Sequence, residues 1–255
     1  MYQLAFDQWH RVAHVIDESI PFVTITMLYQ RRIDGRIWVD SVDSPQTVIA
    51  SFAKDFYAVG DLSRPDALQV LMDVEGSTPA TPGLREALRT AWGGFIVDEA
   101  LMHRFSGKSV PDLSAPEGYS LVALDQSNVA LLKAFWQDEY SEHTVGDFLD
   151  VRDFLNHGFG TIAVHRKTGT CVSACVAISV SRERADFGLD TSPEHEGQGL
   201  AKACTALAVR QALERGKRPV YVTLVDNIAS QRVAAAVGFT PAERFEILSH
   251  IEVED

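Results

Sequence analysis

The stretch from residue 189 to residue 201 constrains the fold of this chain more than any other. It is typical of a strand that ends in a proline turn, a glycine loop and the start of a helix. Pro193 cannot donate to a strand ladder and therefore ends the alternating run before it. Gly197 and Gly199 let the backbone turn tightly with its amides bare, and residues 200–214, rich in Ala and Leu, predict a helix. Bare amides at the N-terminus of a helix form a seat for an anion such as a phosphate.

The next segment repeats the order of strand and then helix. Residues 219–225 are rich in β-forming residues, and Asp226 and Asn227 end that run. A second small helix is predicted over 228–237, before the Gly238-Phe239 pair. This order resembles the acetyl-CoA-binding core of the GNAT superfamily of N-acetyltransferases.

Three motifs carry the resemblance over about fifty residues. The family loop, Gln/Arg-x-x-Gly-x-Gly/Ala, is matched by residues 196–201 except at Glu196. The family strand, Leu-x-Val-x-Pro, compares with Leu-Asp-Thr-Ser-Pro at 189–193. Asn227 stands eleven residues before Gly238, as an Asn does before the Gly-Phe pair of the family.

A narrower likeness extends over nearly the whole chain. Residues 35–40, 154–160 and 227–230 resemble the branch of GNAT proteins that is named for zwittermicin A resistance. In that branch a second domain precedes the acetyltransferase core, so the resemblance implies two domains here.

The domain boundary is expected in the stretch 104–116, which reads as a loop with Ser, Gly, Lys and two prolines. We expect an α/β (α+β) protein with a smaller α/β domain over 1–110 and a GNAT domain over 111–255. The resemblance gives the second domain a mixed, largely antiparallel sheet.

Hydrophobic patterns and turn residues predict the remaining elements. In the N-terminal half they predict a helix over 3–16, strands over 22–29 and 36–42, a helix from Ser44 to about Phe56, and a helix over 84–92. In the C-terminal half they predict a strand over 119–123, a helix over 127–137, an acidic loop and helix over 140–155, and strands over 160–165 and 172–180.

The resemblance implies acetyl-CoA as the co-substrate and no metal. The main chain of Leu189 and Thr191 would bond the pantetheine arm. The pyrophosphate would be held by the backbone amides of one continuous run, Gly197, Gln198, Gly199, Leu200, Ala201 and Lys202. Lys202 is either a cation for the phosphates or a solvated helix lysine. Asn227 would bond the pantetheine, cap the helix, or do both.

Glu196 departs from the family pattern, which has Gln or Arg at this position. A carboxylate repels a diphosphate to an extent that solvent screening decides. Either its side chain points to water or CoA binds more weakly than is usual in the family.

Proton transfer would fall to acidic residues on the strand before the loop. Asp186 and Asp190 have the same parity, and either would accept the amine proton through water. Asp186 alternatively ends a charged, exposed turn. The tyrosine that serves many GNAT enzymes as general acid is replaced by Ala234, so release of the thiolate would rely on water, on Ser230 or on the second helix N-terminus.

The acceptor site would lie between the first two helices of the core. Trp136, Glu139 and Tyr140, with Asp138 and Glu142, would form an aromatic, acidic pocket for a cationic amine, or else a solvated charge run.

Composition excludes partners more than it selects them. The net charge of −12 disfavours nucleic acid and anionic membranes. The three cysteines, without disulfide or metal spacing, and the N-terminal sequence, without a secretory pattern, favour a cytoplasmic protein.

The combined expectation is transfer of an acetyl group from acetyl-CoA to a primary amine of a small molecule, by direct attack in a ternary complex. The alternative is a non-catalytic module that binds CoA or sequesters amines, which Ala234 and Glu196 favour.

Overall fold

The computed structural model describes residues 1–31, 33–52, 55–136 and 145–251. It divides into two compact units. The first consists of Met1–Ala100 with Arg244–Asp255, and the second of Leu101–Glu243. These limits differ from the predicted boundary near residue 110, because two strands, 96–105 and 239–249, run through the points of division.

The first unit is built on a mostly antiparallel set of short strands. Its elements are β1 (Tyr2–Gln3), a 3₁₀ helix (Phe6–Val12), α1 (Val23–Tyr29), β2 (Arg36–Val39), β3 (Val48–Phe52), β4 (Asp55–Val59), α2 (Pro65–Met72), β5 (Ser77–Pro79), α3 (Leu84–Trp92) and the start of β6 (Ile96–Phe105). Strands β1 to β5 are neighbours in chain order, antiparallel except for the β4–β5 pair. The apolar faces of α2 and α3 form its core with residues of β3 and β4.

Two predicted elements of the first unit are wrong in type, and a third is shorter than predicted. The predicted strand over 22–29 is the helix α1, whose residues 23–28 are all buried. A helix that is apolar all round has no amphipathic period, and its β-branched residues imitate a strand. The predicted helix over 44–56 is replaced by β3 and the beginning of β4. β3 lies between two strands and is buried on both faces, so it lacks the alternation that marks a strand. The predicted helix over 3–16 is a 3₁₀ helix limited to Phe6–Val12.

The second unit has the element order that the sequence predicts. Its elements after β6 are β7 (Tyr119–Ala123), α4 (Val129–Phe135), α5 (Val151–His157), β8 (Gly160–His165), β9 (Cys171–Val180), β10 (Arg184–Thr191), a 3₁₀ helix (Pro193–His195), α6 (Leu200–Glu214), β11 (Arg218–Leu224), α7 (Ile228–Val237) and β12 (Phe239–Ser249), of which the last six residues return to the first unit.

The sheet of the second unit is mixed and largely antiparallel, as predicted. Five of its strands lie in the order β11-β10-β9-β8-β7, and only the β10–β11 pair among these is parallel. Helix α6 packs on β8, β9 and β10 through small buried side chains such as Ala203, Cys204 and Ala208. Small residues let the helix approach the strands closely, which fixes where its N-terminus lies.

Candidate functional site

The central feature of the second unit is a gap between β10 and β11. The two strands pair only from Arg184 to Asp186, opposite Arg218 to Val220. Both continue beyond that point, and β10 stays paired with β9 as far as Thr191. Along the described strands, the β11-facing edge of β10 therefore has no strand partner past Asp186. Its backbone groups are available to an extended ligand that lies in the gap.

A cleft of about 290 Å³ lies at the end of β10, past its last pairing with β11. The end of β10, the glycine loop and the first turns of α6 and α7 line it. The lining residues are Leu189, Asp190, Thr191, His195, Glu196, Gly197, Gly199, Leu200, Ala201, Asn227, Ala229, Ser230 and Val233. Most of the predicted cofactor-binding residues thus meet around one cavity, whereas Gln198 and Lys202 are exposed and not part of the lining.

The loop keeps its amides open because of its glycines. Gly197 and Gly199 have φ of +72° and +85°, in the left-handed region that favours glycine. A Cβ atom at either position would meet nothing within 4 Å, so the space beside the loop is open. The first hydrogen bond into α6 runs from the Ala203 amide to the Gly199 carbonyl, at 3.1 Å. The amides before it lack helical acceptors and carry the positive end of the helix dipole.

The N-terminus of α7 brings two predicted residues to the cleft. Asn227 caps the helix, and its Oδ1 accepts from the Ser230 amide at 2.9 Å. The Ser230 hydroxyl lies 2.6 Å from the hydroxyl of Tyr221 on β11. Burial raises the pKa of Tyr221. Our sequence reasoning missed Tyr221, because a tyrosine in a strand is usually only a core residue.

Asp186 lies at the point where β10 and β11 separate. Its carboxylate accepts from the Phe187 amide at 2.9 Å, and the backbone of Val222 also bonds it. Burial raises the pKa of Asp186 to about 7, and the charge of Asp147 adds to the rise. The two backbone bonds and Arg184 oppose it. Desolvation thus prevails over hydrogen bonding at this carboxyl group.

Asp147 is a second carboxylate that the sequence did not single out. Its amide donates to the Ile178 carbonyl at 2.9 Å, and its carboxylate accepts from the Ser179 hydroxyl. Ile178 is the extra residue of a β-bulge in β9, opposite the step from Asp186 to Phe187. The bulge leaves the Ile178 carbonyl free of the ladder, which explains how this segment docks on the sheet.

Trp136 lies over β10 between the two predicted catalytic aspartates. A Cβ atom at Gly188 would be 3.8 Å from the Trp136 ring, which is 5% exposed. Asp190 is exposed at the cleft, and its Oδ1 accepts from the Thr191 amide at 2.7 Å. The other predicted acceptor-site residues, Asp138, Glu139, Tyr140 and Glu142, lie outside the described residues.

His195 is a further lining residue that the sequence reasoning passed over. Its Nδ1 lies 2.8 Å from the Tyr119 hydroxyl, and its ring packs edge-on against that of Tyr119. The neighbouring Glu196 is exposed and also lines the cleft. Within the described ranges, no group of three or more His, Cys, Asp and Glu residues could hold a metal ion. No helix in the same ranges is long and apolar enough to cross a membrane.

Comparison with known proteins identifies the family. The model of the GNAT acetyltransferase family matches residues 21–248. The chain belongs to the GNAT acetyltransferase family. A curated relative, the uncharacterized N-acetyltransferase YdfB of Bacillus subtilis, is 27% identical over 135 residues, which are 53% of this chain and 49% of that protein. The chain therefore matches about half the length of this relative.

Solved GNAT structures show the same fold. A GCN5-related N-acetyltransferase-like protein from Streptococcus suis superposes with a TM-score of 0.73 at 21% identity, covering 95% of this chain and 98% of the other. A GCN5-related N-acetyltransferase from Kribbella flavida gives a TM-score of 0.62 at 17% identity, with 90% and 95% covered. At these identities the likeness concerns the architecture.

Proposed function

We propose that this GNAT protein transfers an acetyl group from acetyl-CoA to a primary amine of a small molecule, by direct attack in a ternary complex. The observation that carries the proposal is the gap between β10 and β11, which opens directly beside the bare amides of the glycine loop. An extended thiol arm and a pyrophosphate need these two features side by side.

The residues present fit the cofactor. The free edge of β10 at Leu189 and Thr191 would bond the pantetheine amides, and the loop amides from Gly197 onward would bond the pyrophosphate. The open space over Gly197 and Gly199 leaves room for phosphate oxygens close to the backbone. Glu196 is exposed, so solvent screens its repulsion, and backbone recognition would dominate.

Asp186 is the general base that we favour. At neutral pH a primary amine in solution is mostly an ammonium ion, and it must lose a proton before or during its attack on the acetyl carbon. A carboxyl group whose pKa is raised to about 7 is matched to this task at neutral pH. In the reaction, the amine nitrogen bonds to the acetyl carbon, the carbon–sulfur bond breaks with its electron pair on sulfur, and the amine proton passes to Asp186, directly or through water. Asp190, on the same strand and open to the cleft, is the alternative base.

The acceptor is proposed to be a cationic amine. Asp147 and Asp186 bring negative charge to the face of β10 over which Trp136 packs. An aromatic ring beside carboxylates favours a cation. Glu139 and Tyr140 would complete this pocket. The zwittermicin A resistance-type branch remains our proposal for the subgroup. A cytoplasmic location belongs to the same proposal, and it rests on three buried free cysteines.

One assay tests the proposal. Release of free CoA thiol from acetyl-CoA is measured with a panel of polyamines, amino sugars and amino acids, and the products are checked by mass spectrometry. We expect acceptor-dependent thiol release with a mass gain of one acetyl group on the amine. Binding of CoA without turnover for any acceptor would favour the non-catalytic module, to which the buried alanine at position 234 points.

A further inference from the structure

Ser230 lines the cleft, and its backbone is held in place. It lies in the first turn of α7, and its amide is bonded by the cap residue Asn227. The same residue lines the cleft together with Leu189 of β10, across the gap. Its hydroxyl therefore sits on the α7 side of the space in which the thiol arm of CoA would lie.

The partner of this hydroxyl decides where its hydrogen points. Tyr221 is 3% exposed, and its hydroxyl lies 2.6 Å from the Ser230 Oγ. Ser230 is the hydrogen-bond partner found for this phenol within the described part of the chain. If Ser230 donated to Tyr221, the phenol hydrogen would be buried without an acceptor, which is costly. Tyr221 therefore donates, and the Ser230 hydrogen is left for the cleft.

The surroundings keep this arrangement fixed. Burial raises the pKa of Tyr221, so the phenol remains a donor across the pH range of ordinary assays. The N-terminus of α7 adds a positive potential at Ser230. Position 234, where many GNAT enzymes have a tyrosine that acts as general acid, is a fully buried alanine.

We propose that Ser230 donates a hydrogen bond to the sulfur of CoA and stabilises it as a thiolate, and that Tyr221 is the positioning residue that turns the Ser230 hydrogen toward the cleft. This inference rests on the proposed binding of acetyl-CoA. It assigns the group that takes up the negative charge when the carbon–sulfur bond breaks. No proton leaves Ser230 or Tyr221 in this step, and the thiolate is protonated by water after release.

Other titratable groups are close to this pair and must be held constant in a test. Asp186, Cys175 and His103 surround Tyr221. Three further groups, Asp190, His195 and Glu196, line the cleft. A comparison of two ligands that differ only in the sulfur cancels their effects on the rest of the ligand, and the variants then show which part of the sulfur's contribution depends on Ser230 and Tyr221.

The test measures binding of CoA and of desulfo-CoA, which lacks the sulfur, by calorimetry between about pH 6.5 and 9.5, a range that spans an ordinary thiol pKa. In the unchanged protein, the preference for CoA over desulfo-CoA should grow by roughly ten- to a hundredfold as the thiol ionises, the range for a hydrogen bond to a charged group. Ser230→Ala and Tyr221→Phe should both abolish this growth, and Ser230→Thr should retain most of it.

Two controls separate this role from a structural one. Desulfo-CoA should bind equally to Ser230→Ala, Tyr221→Phe and the unchanged protein, which shows that the cleft is intact. Thr223→Val, which removes a buried hydroxyl bonded to His103 on the same strand, should keep the full preference. A preference that does not change with pH in the unchanged protein, or that survives in both variants, overturns the inference. If neither CoA nor desulfo-CoA binds the unchanged protein, both the proposed function and this inference are wrong.

Discussion

At the scale of single residues, Asp186 shows how burial changes the acidity of a side chain. An aspartate in water ionises near pH 3.8, whereas burial raises the pKa of Asp186 to about 7. The backbone amides that bond it keep it oriented at the point where the strands separate. The sequence supplied the residue and its strand parity, but it supplied neither the burial nor the nearby charge of Asp147, which together raise the pKa.

Asp186→Asn should change both turnover and stability. The amide oxygen still accepts from the Phe187 and Val222 amides, but the side chain has lost its basicity. Turnover should fall by about a hundred- to ten-thousandfold, with acetyl-CoA affinity unchanged. In the unchanged protein, kcat/KM should rise as pH increases through about 7, where the base loses its proton. Asp190→Asn is the matched control. A larger loss there would move the base to Asp190.

Stability gives a second readout of the same substitution. Between pH 4 and 7 the folded protein holds a proton on Asp186 that the unfolded chain has lost, so its stability falls as pH rises through this window. Above pH 7 the penalty is complete, at most about 4 kcal/mol for a shift of three units. Asp186→Asn should therefore raise the melting temperature at pH 8 and leave it nearly unchanged at pH 4. Equal shifts at both pH values would show that the carboxyl group is not desolvated.

At the scale of elements, the helices whose ends are marked by glycine or a capping residue were predicted correctly from the sequence. The bounds of α6 and α7 agree with the predicted 200–214 and 228–237, because glycines and Asn227 mark their ends. Helix α1 and strand β3 were mistaken for each other's type, since both are buried on all sides and carry no amphipathic period.

The same distinction holds within the site. The loop glycines were predicted because local backbone geometry requires them. Asp147 was missed because its role arises from a contact with Ser179, 32 positions along the chain. Tyr221 was missed because its hydroxyl meets Ser230 of the next helix, a contact that only the packing of β11 and α7 creates.

The glycine loop itself is tested by a charge at its last glycine. Acetyl-CoA should raise the melting temperature of the unchanged protein by mass action. Gly199→Asp should abolish that rise, because it places a carboxylate beside the pyrophosphate seat. Gly216→Asp is the matched control. It also has a positive φ, +68°, and open space around its Cβ position, but it follows the far end of α6. It should cost similar backbone strain and keep the ligand shift. If acetyl-CoA raised the melting temperature of Gly199→Asp as much as that of the unchanged protein, the loop would be a structural turn and not a binding site.

At the scale of the whole molecule, the division of the chain is not sequential. The sequence predicted domains over 1–110 and 111–255, since a loop rich in Pro and Ser lies near residue 110. The last strand nevertheless ends in the first unit, where residues 247–249 pair with β5. No local sequence pattern indicates that the last strand pairs with β5 of the first unit. The return depends on pairing between residues about 170 positions apart, which sequence patterns do not encode.

Leu248→Ala tests which unit this strand supports. Leu248 is fully buried in the core formed with Leu71, Leu84 and Leu88. Removing its side chain should destabilise the first unit by about 2–5 kcal/mol, as leucine truncations in cores do. Hydrogen exchange followed by mass spectrometry should show faster exchange in peptides from 48–92. Leu132→Ala, in a fully buried position of α4, is the matched control and should act on peptides of the second unit. Faster exchange in 119–224 but not in 48–92 for Leu248→Ala would favour the sequential division at residue 110, because the C-terminal strand would then stabilise the acetyltransferase unit.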